Sequence, residues 1–309
     1  MSDAEPLLVI TGPTASGKTA LAVELARAWE GELIGADSVQ VYRGFDIGSS
    51  KPTSEELGGV VHHLIDVCEP AEELDAAGFA RRADAAIADV RARGKLPIVV
   101  GGSGLWLRAL LRGLVVLPSV DPALRAALLE EAACKGTPAL HARLVELDPL
   151  AAAKIHPNDT VRVTRALEVH AQTGQALGAL RAEHALGAPR YNALRVVLDW
   201  PNEQLYPRIR QRTAEMFARG FVDEVRALVE AYPSARALGA VGYREVVTYL
   251  RNRGDLEATI AEVERATRIY ARRQRTWLKS EPGERLLARP DDATLRESLA
   301  RFVDRVPRS

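Results

Sequence analysis

Residues 12–19, GPTASGKT, have the spacing G-x-x-x-x-G-K-[ST] of a phosphate-binding loop. In such a loop (here Gly12, Pro13, Thr14, Ala15, Ser16, Gly17, Lys18 and Thr19) the backbone N–H groups curl around a phosphate. The helix that follows points its positive end at the same anion. Glycines permit positive φ and close backbone approach. Lys18 adds a point charge, and the Thr19 hydroxyl is placed to ligate Mg²⁺. The apolar run Leu7 to Thr11 precedes the loop, and Ala20, Leu21, Val23, Leu25 and Ala26 follow it in a helical pattern. That strand–loop–helix setting separates a phosphate site from a glycine-rich turn of no function.

ATP or GTP is the usual occupant, but a nucleotide hydrolase also carries an apolar strand ending in an Asp that holds Mg²⁺. The best candidate here, LPIVVGG (Leu96 to Gly102), ends in glycine; the acidic end belongs to ELIGAD (Glu32 to Asp37). The carboxyl ends of parallel strands face the ligand crevice, so Asp37 reads as a carboxylate facing a second substrate. This favours group transfer to an acceptor over hydrolysis. Asp37 as a turn cap beside Ser38, and a small-molecule kinase with Asp37 as base, both stay open.

Stepping outward, a helix capped by Asp75 (stripe Phe79, Ala83, Ile87, Val90; stop at Gly94) separates the second and third strands, and LRVVLDW (Leu194 to Trp200) adds a fourth. Strands alternating with helices predict an α/β fold, a P-loop-type parallel sheet flanked by helices. From about Pro118 to Pro189 only helical patterns occur, with caps and glycine stops. The expected organisation is a catalytic core over 1–117 and 194–309 and an all-helical insertion over 118–193. Helices over Glu203–Arg219, Val222–Ala231 and Asp255–Lys279 and an edge strand over Glu284–Ala288 complete the core.

The 309 residues carry 41 basic and 41 acidic side chains, with 47% hydrophobic residues. No stretch is long and apolar enough to span a membrane, and no secretory signal is visible, so cytoplasm is expected. Cys68 and Cys134 form no CxxC pair. Net neutrality argues mildly against a nucleic-acid binder, but distribution matters more than the sum. Residues 264–280 carry six Lys or Arg against one Glu, with Arg268, Arg272, Arg275 and Lys279 at helical spacing. A solvated face and an RNA-facing patch are both open for that stripe.

The motifs GPTASGKTALA, DSVQVYRGFDIGSSKP, VHHLIDV, GGSGLWLRALLRGL, IHPNDTVRVTRALEV, LYPRIRQRTAEMFARGFVDEV, AVGYREV and YARRQRTWL occur in this order. Together they resemble the bacterial tRNA dimethylallyltransferases, also called tRNA isopentenyltransferases, from Leu7 to about Leu278. The resemblance implies transfer of a dimethylallyl group from dimethylallyl diphosphate to N6 of the adenosine 3′ to the anticodon, in tRNAs reading codons that start with U. The loop would then hold a diphosphate leaving group, with Mg²⁺ on Thr19. By motif position, Asp37 matches the catalytic acid/base. Gln40, with an amide that both donates and accepts, would read the base from the turn Asp37, Ser38, Val39, Gln40. Arg212 matches an arginine that contacts the diphosphate, although the residues alone do not rank it above Arg208 and Arg210. Ser103, Arg125 and the run Val161, Arg162, Val163, Thr164, Arg165 match positions that touch the tRNA, with Arg162 and Arg165 expected on phosphates. The helical insertion would grip the anticodon arm while the target base swings out of its stack. Partners implied are tRNA and dimethylallyl diphosphate, with no membrane; nothing demands more than a monomer. Ser103 and Trp106 stand where Thr and Tyr are commoner. His62 and His63, being adjacent, read as structural.

Overall fold

The computed structural model describes residues 6–115, 117–185, 189–281, 285–289 and 293–303. In chain order the elements are β1 (Pro6–Thr11), α1 (Lys18–Ala28), β2 (Gly31–Gly35), α2 (Ser54–Leu57), β3 (His62–His63), α3 (Ala76–Ala92), β4 (Leu96–Gly101) and α4 (Gly104–Arg112). Then come α5 (Pro122–Lys135), α6 (Thr137–Leu147), α7 (Pro149–Ala152), α8 (Thr160–Thr173) and α9 (Leu177–Ala185). The chain closes with β5 (Asn192–Leu198), α10 (Asn202–Ala218), α11 (Phe221–Ala231), a 3₁₀ turn at Arg236–Gly239, α12 (Tyr243–Asn252), α13 (Leu256–Ser280), β6 (Arg285–Ala288) and α14 (Ala293–Val303).

The six strands form one parallel sheet in the order β3-β2-β4-β1-β5-β6. Leu7, Leu8, Val9 and Ile10 are all fully buried, as a strand covered on both faces demands. Leu8, Ile10, Leu33, Ile98 and Val100 share a core with α1 and α14. Alternation turns Leu7, Val9, Ile34 and Val99 to the other face. The chain runs from β1 to one side through β2, returns through β4, and crosses to β5 on the other side. Such a reversal opens a crevice at the carboxyl ends of the strands, and the loop 12–17 leaves β1 there.

Most expected elements are present, with shifted ends. β2 stops at Gly35, so Asp37 lies in a turn beyond the strand instead of ending it. β5 starts two residues earlier than the apolar run suggests. The edge strand β6 pairs parallel with β5. β3, two residues paired to Leu33 and Ile34, is too short to leave a periodic signal.

The chain forms two compact units, Met1–Gly113 with Arg190–Ser309, and Leu114–Pro189. The first holds the whole sheet. The second is built from α5–α9 around Leu128, Leu140, Leu144, Val163, Leu167 and Leu177. Two of its helix starts are set by side chains at the surface: Asp121 caps α5 through the N–H groups of Ala123 (2.9 Å) and Leu124 (3.1 Å), and Asp159 caps α8 through that of Arg162 (3.1 Å). Asp148, fully buried, accepts from Ala151 N (3.0 Å) and Gly178 N (2.8 Å), tying α7 to α9.

Candidate active site

The loop between β1 and α1 has the backbone its sequence demands. Gly12 sits at φ 154°, where a Cβ would fall 2.6 Å from the Leu198 carbonyl oxygen. Gly17, at φ 88°, opens α1 without a side-chain cap, leaving the first N–H groups of the helix for a ligand. Neighbours fix the loop from outside. The Gln274 Oε1 accepts from Thr14 N (2.8 Å), Trp200 Nε1 donates to the Ser16 carbonyl (2.9 Å), and Arg208 Nε donates to that of Ala15 (2.9 Å). Lys18 donates to the Pro13 carbonyl (2.8 Å). Burial and the nearby Arg212 lower its pKa to about 8, with Asp37 opposing. Ser16 Oγ is buried with no partner among the described residues.

This loop forms one end of a cavity of about 420 Å³, all of it within the sheet-bearing unit. Arg212, on α10, also lines it: Nε donates to Ser50 Oγ (2.6 Å) and one terminal nitrogen to Thr14 Oγ1 (3.1 Å). Burial lowers its pKa while Asp37 and Glu215 raise it. Neither Arg212 nor Lys18 has an ion pair among the described residues. The three arginines of PRIRQR are thereby separated. Arg208 grips the loop from outside and lies over Trp200 (4.9 Å), Arg210 pairs with Glu264 on the surface, and Arg212 alone faces the cavity.

Asp37, Ser38, Val39 and Gln40 line the same cavity. Asp37 Oδ1 accepts from Val39 N (2.9 Å) and Gln40 N (3.3 Å), so the residue does cap its turn. Its Oδ2 makes no hydrogen bond to the described residues, so one carboxylate both shapes the turn and presents an acceptor. Gln40 Nε2 faces two carbonyls, Ser49 O (3.0 Å) and Ser50 O (3.1 Å). Only an NH₂ satisfies both, which leaves Oε1 alone for a ligand and corrects the expectation that the amide would offer donor and acceptor. Ser103 does not line the cavity; its Oγ accepts from Ser38 N (3.0 Å) and it is buried, bracing the turn.

Sequence reasoning missed the rest of the wall. Ile209, Thr213 and Met216 of α10, Val241, Tyr243, and Val263, Thr267, Tyr270 and Gln274 of α13 line it. Burial and the charge of Asp37 raise the pKa of Tyr270. His62 also faces the cavity, with neither ring nitrogen partnered among the described residues; burial and His63 hold its pKa at about 4, so it is neutral. His63 instead donates to Glu32 (2.6 Å).

In the helical unit, Arg125 and Arg165 both pair with the buried Glu168, at 2.8 and 2.9 Å. Val163 is fully buried in the core and Thr164 nearly so, its hydroxyl donating to the Thr160 carbonyl (2.7 Å). Their side chains have no surface to offer RNA, a correction that follows from helical periodicity. Val161 and Arg162 are exposed. Along α13 the basic stripe is divided. Arg268 pairs with Glu264 and lies over Tyr206, and Arg275 pairs with Asp199 (2.8 Å), whereas Arg272 and Lys279 are exposed and Arg273, also exposed, lines the cavity.

Comparison with known proteins gives these features a lineage. A tRNA dimethylallyltransferase of Anaeromyxobacter dehalogenans is 52% identical over 303 residues, 96% of each chain. One of Geobacter sulfurreducens is 46% identical over 278 residues, 89% of each. The crystal structure of the tRNA isopentenylpyrophosphate transferase of Bacillus halodurans superposes with a TM-score of 0.70 at 35% identity, over 97% of each chain. That of a eukaryotic dimethylallyltransferase acting on tRNA gives 0.80 at 28% identity, over 99% of this chain and 81% of that one. Residues 40–281 match the IPP transferase family, and with identity of this order across nearly the full length the chain belongs to that family.

Proposed function

We propose that the protein is a tRNA dimethylallyltransferase that moves the dimethylallyl group of dimethylallyl diphosphate to N6 of the adenosine 3′ to the anticodon, in tRNAs reading codons that begin with U. One observation carries the reading: four residues of the phosphate loop (Thr14, Ala15, Lys18 and Thr19) with Arg212, and an acceptor turn (Asp37 to Gln40), line a single cavity; Gly12, Pro13, Ser16 and Gly17 shape the loop from behind that wall. A kinase would need only the cradle and a base, and none of the relatives above is a kinase.

In the reaction the N6–C1 bond forms, the C1–O bond breaks, and diphosphate leaves with the electron pair. An adenine amine is a poor nucleophile because its lone pair is conjugated with the ring. Asp37 Oδ2 orients the amine and takes its proton as the new bond forms. Gln40 Oε1 accepts from the base. Lys18, Arg212 and the N-terminus of α1 stabilise the charge growing on the leaving group. Ile209, Met216, Val241 and Val263 give the allyl tail an apolar wall. Thr19, a hard oxygen donor on the cavity with no hydrogen bond to the described residues, fits Mg²⁺, which takes few protein ligands alongside substrate phosphates. When bound, the ion shares the diphosphate charge. The exposed Arg162 contacts tRNA phosphate from the helical unit, and the enzyme works as a cytoplasmic monomer.

Incubation with unmodified tRNA, Mg²⁺ and radiolabelled dimethylallyl diphosphate, followed by nuclease digestion, tests this. The expected product is prenylated adenosine. Label passing from ATP to a small molecule, with none entering RNA, would overturn the proposal.

A further inference from the structure

The segment from Phe45 to Lys51 has no regular structure, yet it carries the contacts that orient both ends of the cavity. At its far end Ser50 Oγ accepts from Arg212, and the carbonyls of Ser49 and Ser50 accept from Gln40. Its near end is held by one side chain from 176 residues away in the chain. Glu224, on α11, accepts from Asp46 N (3.1 Å) and Ile47 N (2.6 Å) at Oε2, and from Gly48 N (3.1 Å) and the Tyr243 hydroxyl (2.8 Å) at Oε1. Four donors from two parts of the chain fill the acceptor capacity of one carboxylate. Hydrogen bonds of this kind, with a charged acceptor, are about twice as strong as neutral ones.

The fit around the carboxylate is close. A Cβ on Gly48 would fall 2.1 Å from the Phe221 ring and 2.6 Å from that of Tyr243, so the segment lies flush on these two rings, which meet edge to face at 5.1 Å. Burial and the Glu224 charge push the Tyr243 pKa well above its ordinary value, which keeps the phenol a donor. Residues 46–48 thus have little freedom to shift without moving Ser49 and Ser50.

We propose that Glu224 is a positioning residue for the transfer reaction: by fixing the backbone of residues 46–48 it sets, through Ser49 and Ser50, the placement of Gln40 toward the acceptor and of Arg212 toward the diphosphate at once. The inference rests on the reading of the cavity as the transfer site. It separates Glu224 from its neighbour Asp223, which is exposed and, among the described residues, pairs only with Arg226.

The test compares wild type, Glu224→Gln, Glu224→Asp and Asp223→Asn by steady-state prenylation of tRNA, thermal melting and amide hydrogen exchange. Glu224→Gln puts an NH₂ against donors and is expected to speed exchange at residues 46–48. It should also lower kcat/KM for both substrates about ten- to a hundredfold, the cost of a misplacement near 1 Å. Glu224→Asp, which keeps the charge, should recover part of the loss, and Asp223→Asn should match wild type. Glu224→Gln with wild-type kcat and both KM values per folded molecule overturns the inference, even with a lowered Tm, because that marks a purely structural role. A loss confined to one substrate also overturns it. If Glu224→Gln does not fold, Glu224→Asp is read by the same criteria. Failure of the wild type to prenylate tRNA would sink the functional reading instead, and the exchange rates would still report whether Glu224 holds the segment.

Discussion

Arginine does opposite work in the two units. In the sheet-bearing unit Arg212 is held by neutral oxygens, Ser50 Oγ and Thr14 Oγ1, and has no carboxylate partner among the described residues. In the helical unit Arg125 and Arg165 converge on Glu168, whose carboxylate is almost wholly buried. Drawing an unpaired charge out of water is costly, and the cavity wall holds two half-buried cations without an ion pair among the described residues, Arg212 and Lys18. That cost is offset when an anion arrives. In the Glu168 cluster each arginine already has a carboxylate partner, so its guanidinium is engaged before any ligand arrives. A charge count cannot tell these cases apart; the partners can.

The sharpest break in this contrast is at the acceptor. Asp37→Asn keeps an oxygen to cap Val39 N and Gln40 N but removes the base. The chemical rate is expected to fall about 10²–10⁴-fold while tRNA affinity stays within a few-fold, read by single-turnover kinetics and filter binding. Equal losses in both would make Asp37 a binding residue. Arg212→Met comes next. It is expected to lower kcat/KM for dimethylallyl diphosphate by about 10²–10³, yet not to lower the Tm of the free enzyme, since a half-buried cation with no carboxylate partner among the described residues is replaced by an apolar chain. A marked drop in Tm would mean Arg212 stabilises the fold as Arg165 does.

Lys18 sharpens the same point through pH. Its pKa in the free enzyme is about 8, and the protonated form is the one that attracts diphosphate. So kcat/KM for dimethylallyl diphosphate should be flat below pH 8 and fall about tenfold per unit well above it. Bound diphosphate favours the charged form, so kcat should hold to higher pH. A kcat/KM profile unchanged to pH 10 would contradict the lowered pKa.

How far this was legible in the sequence divides along similar lines. The phosphate loop, the order of strands and helices and the caps at Asp75, Asp121 and Asp159 follow from contiguous residues, because turns and caps are local. Arg212 could not be ranked over Arg208 and Arg210 until the helix showed which face met the cavity. Val263, Thr267, Tyr270 and Gln274 recur as a core stripe does, since a cavity wall and a packed core impose the same helical period. Glu224 meets the backbone of residues 46–48 across 176 to 178 residues, and no local pattern marks it. Val163 and Thr164 were misplaced because the motif runs along a helix, whose period of about 3.6 residues turns these two neighbours together to the core while Val161 and Arg162 face solvent.

On the helical side, Arg165→Met should destabilise the protein by about 1–3 kcal/mol, the cost of removing one partner from a buried acceptor. Arg125 remains on Glu168 and limits the loss. Thermal or urea unfolding checks this, with prenylation per folded molecule nearly unchanged. A variant that melts like wild type but binds tRNA poorly would show that Arg165 serves the RNA after all.

The smallest effect belongs to Arg162. Its side chain is 68% exposed and its pairing with Asp159, at 3.4 Å, is the kind of surface contact that contributes little. Unlike Arg125 and Arg165, it keeps its charge available. If it meets a tRNA phosphate, Arg162→Ala should make the dependence of log affinity on log salt shallower by about 0.7–0.9, with the Tm unchanged and all tRNA substrates weakened alike. Arg125→Ala, measured beside it, should move stability more than slope. An unaltered slope for Arg162→Ala would deprive the helical unit of the one exposed arginine in the VRVTR run. The exposed Arg272 and Lys279 of α13 would then be the next cations to test for the same phosphate contact.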